Sequence, residues 1–147
     1  SVKFFCERLE PMLAAGRLGS IFVQLPPNFK KNAERLETFV NLLPENFPWA
    51  IEFRHTSWND DEVGGILASR KVAYASWDTD DEAGVRRDTG NLVYARLRRD
   101  AYDDETLASW ASWFKACASG GRPCYVFFKH EDEGSPWLDA DRLLKLL

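Results

Sequence analysis

Five apolar runs of five or six residues, separated by segments with helical periodicity, constrain what this chain can fold into more than any other feature. The runs are Ile21–Leu25, Trp49–Phe53, Val72–Trp77, Leu92–Leu97 and Cys124–Phe128, rich in β-branched and aromatic residues. None alternates with polar residues over a long stretch, which is the pattern of strands covered on both faces, as in parallel sheets. Between them, Leu36, Phe39, Val40 and Leu43 fall on one helical face that ends at Pro44. Asp60 is placed to cap a helix carrying Val63, Ile66 and Leu67, and Asp103 to cap one carrying Leu107, Trp110, Phe114 and Cys117. Ser135-Pro136 reads as the start of a last helix with Leu143, Leu144 and Leu147. The opening segment Val2–Ala15 is helical around Phe5 and Leu9, with Pro11 expected to break or restart it.

The order α-β-α-β-α-β-loop-β-α-β-α implies an α/β fold with a parallel sheet and right-handed crossovers. Two architectures fit: a piece of a (β/α)8 TIM barrel, or a five-stranded doubly wound sheet. Residues 78–91 lack helical periodicity and are expected to form a long irregular loop. With 147 residues, 45% of them hydrophobic, the chain reads as a single domain over residues 1–147 with its own core. It has no apolar run long enough to span a bilayer and no secretory leader pattern, so membrane insertion is not expected. Three cysteines without a close pair argue against a disulfide framework and for a reducing cytoplasm. A net charge of −4 disfavours non-specific nucleic-acid binding.

In α/β enzymes the chemistry collects at the carboxyl ends of the strands. The densest polar cluster of that kind here is Glu52-Phe53-Arg54-His55-Thr56-Ser57-Trp58. Glu52 and Arg54 have the same parity, so a strand through both would put a candidate base beside an anion-binding guanidinium. The alternative is a buried salt bridge that organises the strand ends. His55 is a candidate acid or base, and Trp58 reads better as a plug than as a stacking platform. Gln24, at the first strand end, can hydrogen-bond a polar ligand, and Asp78 is a second candidate catalytic carboxylate. Arg96 and Lys129, with Arg98 alongside, suggest a positive rim for phosphate, sulfate or carboxylate. His130-Glu131 could join His55 and Asp78 around a divalent ion, although two histidines are a thin supply of ligands. Glu52 and Asp78 could also form a glycosidase-like pair. The chain has no nucleophile elbow, P-loop, dinucleotide fingerprint, H-E-x-x-H or EF-hand loop, and nothing in it names a cofactor.

Four stretches carry a resemblance: Leu18–Phe29 (LGSIFVQLPPNF), Glu52–Trp58 (EFRHTSW), Tyr94–Leu97 (YARL) and Tyr125–Glu131 (YVFFKHE). In order and spacing they resemble the YecE-like family, a group of uncharacterised (β/α)8-barrel proteins also called domain of unknown function 72. The resemblance implies a partial TIM barrel, about five of eight strands, corresponding to the C-terminal three-fifths of a member. The family's opening Gly-Thr-Ser-Gly-Trp strand and its later Glu-Ile-Asn-Ser strand have no counterpart here. Arg98-Arg99 stands where the family often has His-Gly, so no role passes to that histidine. The resemblance lends no activity. From the residues, an enzyme with acid–base or hydrolytic chemistry on a polar or anionic small molecule is expected. The alternatives are a metal-assisted phosphodiesterase and a non-catalytic module for an anion or nucleic acid. A sheet with two open edges is expected to be marginal alone, to aggregate, or to self-associate.

Overall fold

Every residue of the second apolar run is buried, and that strand anchors the first half of the fold. The computed structural model describes residues 1–82, 84–129 and 136–147. They pack as two compact units, Ser1–Tyr74 with Asp88–Asn91, and Ala75–Arg87 with Leu92–Leu147.

The first unit contains α1 (Val2–Ala14), β1 (Ile21–Gln24), α2 (Ala33–Asn41), β2 (Trp49–Glu52), a single 3-10 turn (Thr56–Trp58) and α3 (Asp61–Ser69). It also takes the start of β3 (Ala73–Asp78). β1 and β2 are parallel, with Ile21 opposite Trp49 and Gln24 opposite Glu52. β2 continues in parallel to β3 through Ala50–Ala73 and Ile51–Tyr74. Alternation along each strand turns Ile21, Val23, Trp49 and Ile51 to one side, where Phe5 of α1 meets Trp49 at 6.4 Å between ring centres. Phe22, Gln24, Ala50 and Glu52 turn to the other side.

Asp60 caps α3 as expected, its Oδ1 accepting from Val63 N at 2.9 Å, and Asn32 caps α2 through Arg35 N at 2.8 Å. The break expected at Pro11 does not occur, because α1 runs through it to Ala14. Proline's fixed φ suits a helix, and the Pro11 carbonyl accepts from Ala15 N at 3.1 Å, so only one ladder bond is forgone in the last turn.

The second unit holds the rest of β3, then β4 (Val93–Leu97), α4 (Asp104–Ala118), β5 (Cys124–Phe128) and α5 (Pro136–Leu146). Both pairings are parallel, with Trp77 opposite Arg96 and Arg96 opposite Phe127. Val93, Ala95 and Leu97 face Leu107, Trp110, Ala111, Phe114 and Cys117 of α4 and Leu143 of α5 in one apolar core. α4 is capped by Asp103, whose Oδ1 accepts from Thr106 N at 2.7 Å. The cap expected at Ser135 lies outside the described residues.

Residues 79–82 and 84–91 form neither helix nor strand, as expected of an irregular loop, yet several of them bond back to β3. Val85 forms an antiparallel bridge with Trp77, N to O at 2.8 and 3.0 Å, and Arg87 N donates to Ser76 Oγ at 3.1 Å. In the first unit, Thr89 Oγ1 accepts from Tyr74 N at 2.8 Å and donates to Val72 O at 2.7 Å. The returning segment therefore tracks β3 with alternate residues.

The strand order is β1-β2-β3-β4-β5, every pairing parallel. A doubly wound sheet reverses its order at a switch point, and this order has none, which decides for a part of a barrel. No helix among the described residues is long and apolar enough to cross a membrane.

Candidate functional site

In the first unit, register brings the last residues of β1 and β2 side by side. Gln24 Nε2 donates to Glu52 Oε1 at 2.7 Å. Glu52 is 0% exposed, and its own carbonyl accepts from Leu25 N at 3.0 Å. Gln24 is exposed. The amide and the carboxylate thus form an oriented pair at a strand end. Glu52 and Arg54 do not share a strand face, because β2 stops at Glu52 and the alternation stops with it. Arg54 lies on the exposed surface just beyond.

His55 caps the 3-10 turn. Its Nδ1 accepts from Ser57 N at 3.1 Å and lies 2.9 Å from Ser57 Oγ. An acceptor role for Nδ1 puts the proton of the neutral ring on Nε2, so the free edge of the imidazole is a donor. Ser57 Oγ also accepts from Lys31 N at 2.9 Å, which ties the segment after β1 to the segment after β2. The indole of Trp58 donates to Phe29 O at 2.7 Å, and its ring stacks on Phe53 at 4.7 Å. Trp58 is fully buried and plugs the turn, as expected. A cavity of about 320 Å³ lies beside it, lined by apolar groups including Val23, Phe29 and Phe39, together with Arg35.

Sequence reasoning missed Lys31. Its ammonium is bridged by Asp60 and by Glu62 at 2.5 Å, and these hydrogen bonds, the one to Asp60 foremost, raise its pKa. Lys31 lies after β1, whereas Asp60 and Glu62 lie together at the start of α3, so no local pattern connects the lysine to its carboxylates.

In the second unit Asp78 is the centre of a buried network. It is 0% exposed. Its Oδ1 accepts from the Tyr102 hydroxyl at 2.5 Å and from Arg98 N at 3.2 Å. Its Oδ2 accepts from Trp110 Nε1 at 3.0 Å and from Arg99 Nε at 3.1 Å. Arg99 is therefore part of this network. Burial, followed by the hydrogen bond to Asp78, pushes the Tyr102 phenol far above its ordinary range. Arg86 lies 4.0 Å over the Trp110 ring and donates to Ser109 Oγ at 3.0 Å, and burial lowers its pKa. Neither Tyr102 nor Trp110 was a sequence candidate. The only local signal for Tyr102 was its place one residue before the Asp103 cap.

Arg96 is half-buried, opposite Trp77 and Phe127 in the register. Lys129 Nζ donates to Asp100 Oδ1 at 2.9 Å. His130 and Glu131 lie outside the described residues. Among the described residues no group of three or more His, Cys, Asp or Glu is arranged to hold a metal ion.

The family described as "Protein of unknown function DUF72" matches residues 1–147. Among solved structures, a DUF72 family protein from Thermotoga maritima is similar, with a TM-score of 0.74 and 23% identity. The match covers 99% of this chain and 64% of that one. A DUF72 family protein from Enterococcus faecalis is similar with a TM-score of 0.69 and 15% identity, covering 99% of this chain and 67% of that one. The chain thus spans about two thirds of the length of these relatives and has the fold of part of their barrel. No curated protein matches it.

Proposed function

The chain belongs to the DUF72 family along its whole length, and from that footing we propose that it is an enzyme performing acid–base or hydrolytic chemistry on a polar or anionic small molecule. The observation that carries this reading is the Gln24–Glu52 pair at adjacent strand ends. An amide that fixes a carboxylate in place removes reorganisation from proton transfer, which is what a general base requires. Glu52 is assigned as that base. Arg54, exposed just past it, supplies a fixed positive charge for an anionic group. The Nε2–H edge of His55 supplies a donor for a developing oxyanion or leaving group. Catalysis is assigned to Glu52 rather than to Asp78, because both oxygens of Asp78 already accept from two donors each.

A second reading, binding without turnover by the same residues, is favoured by the complete burial of Glu52. Turnover of nitrophenyl phosphate, acetate and glycoside probes by wild type and Glu52→Gln separates the two. The enzymatic reading expects turnover of at least one probe above the blank, reduced roughly 100-fold or more in Glu52→Gln. Equal rates in the two proteins would leave only the binding reading.

A further inference from the structure

The 3-10 turn after β2 brings a hydroxyl onto an imidazole. Ser57 Oγ lies 2.9 Å from His55 Nδ1. Two backbone donors settle which of these atoms carries the proton between them. Ser57 N donates to Nδ1 at 3.1 Å, so that nitrogen turns its lone pair to the serine. Lys31 N donates to Oγ at 2.9 Å, so the oxygen accepts on that side and directs its own proton to Nδ1. The hydroxyl thus donates to a neutral imidazole that a third group holds in orientation, which is how a serine is activated for attack. The Lys31 N–H also favours negative charge as it develops on Oγ.

A second observation concerns the footing of this pair. Ser57 is exposed, whereas its neighbour Trp58 is buried, donates to Phe29 O at 2.7 Å and stacks on Phe53. Lys31, whose N–H meets Oγ, is itself held through its ammonium by Asp60 and Glu62. An accessible oxygen therefore stands on a turn that is tied down on both sides, and its base is not free to rotate away.

We propose that Ser57 is a nucleophile that takes an acyl group from an ester, with His55 as its base. Oγ bonds to the carbonyl carbon, its proton passes to Nδ1, and the carbonyl electron pair moves onto oxygen. Return of that pair breaks the bond to the alkoxy oxygen, which leaves with the proton from Nδ1. Water then attacks the acyl-serine by the same route, releasing the acid and restoring the hydroxyl, so ester and water are the only reactants. The proposal goes beyond the Glu52 reading, since it uses the other nitrogen of His55 and does not require Glu52 to act as a base.

The same hydrogen bonds cap the turn, but a hydroxyl that served only as a cap would take no label. The full chain is incubated with 4-nitrophenyl acetate under acid quench and, separately, with an alkyl fluorophosphonate, which bonds to an activated serine as fluoride leaves. Peptide mass spectrometry is expected to find the acetyl or phosphonyl group on Ser57, and Ser57→Ala is expected to lose it. His55→Asn keeps a side-chain acceptor for Ser57 N, and with it the cap, but removes the base. Labelling of Ser57 is expected to slow at least about tenfold in that variant, with an unchanged circular dichroism spectrum. No label on Ser57 from either probe at millimolar concentration would overturn the nucleophile, and equal labelling in His55→Asn would overturn the base. The label is read by mass without turnover, so its absence leaves the comparison of wild type with Glu52→Gln standing.

Discussion

The hydroxyl of Tyr102 donates to Asp78 Oδ1 at 2.5 Å, joining the segment before α4 to the end of β3 inside the second unit. Trp110 and Arg99 hold the other oxygen. Removing the charge strands several donors, whereas removing the phenol strands only part of one acceptor. Asp78→Asn is therefore expected to cost about 3–5 kcal/mol and Tyr102→Phe about 1.5–3 kcal/mol. Urea unfolding followed by circular dichroism ranks the two.

Two glycines are expected to respond oppositely to a methyl group. A Cβ on Gly90 would lie 2.6 Å from Ala73 N, against backbone that cannot move aside cheaply. Gly90→Ala should destabilise by about 1–3 kcal/mol. Gly65 lies inside α3 with nothing within 4 Å of its added Cβ. Gly65→Ala should stabilise by about 0.5–1 kcal/mol. Thermal melts of both variants provide the comparison.

Glu52 takes a 2.7 Å hydrogen bond from Gln24. Gln24→Met keeps the length of the side chain and deletes the donor, with an expected loss of about 1–2 kcal/mol in urea unfolding. If Gln24 positions a base, the same variant lowers kcat more than it raises KM for any probe that is turned over.

Stability should fall at alkaline pH. Burial pushes the Cys124 thiol up to about 11, with Arg122 pulling partly the other way. The unfolded thiol titrates near about 8.5. Because the folded value is the higher one, this contribution is fully present below the unfolded value and is lost as pH rises through the folded value. The Tyr102 phenol is raised as well, so it adds to the loss above about pH 10. Unfolding stability from urea titrations is expected to drop between about pH 8.5 and 11, by on the order of 2 kcal/mol from Cys124, and to drop less in Cys124→Ala.

The strands were the most legible part of the sequence, because an apolar run is a local signal. Cys124–Phe128 has the same bounds in sequence and structure, and the other four runs shift or shorten by a residue. The Asp60 and Asp103 caps were legible for the same reason, each acting three residues along the chain. What escaped depends on distance along the chain. Trp110 reaches Asp78 across 32 residues, and Lys31 reaches Asp60 across 29. The return of Val85 and Thr89 along β3 was hidden by its polar composition, since its hydrogen bonds run through backbone and hydroxyl groups rather than an apolar stripe. At the candidate site, Gln24 and Glu52 were each visible as strand ends, but their mutual hydrogen bond needed the register.

A strand order that follows chain order also has a kinetic consequence. Each strand pairs with the one made just before it, so every pairing closes a single crossover and none waits for a distant segment. Loop-closure entropy then enters in small, similar steps. Within this part of the fold, each strand can be added to the one before it as it is made, without waiting for residues far ahead in the chain.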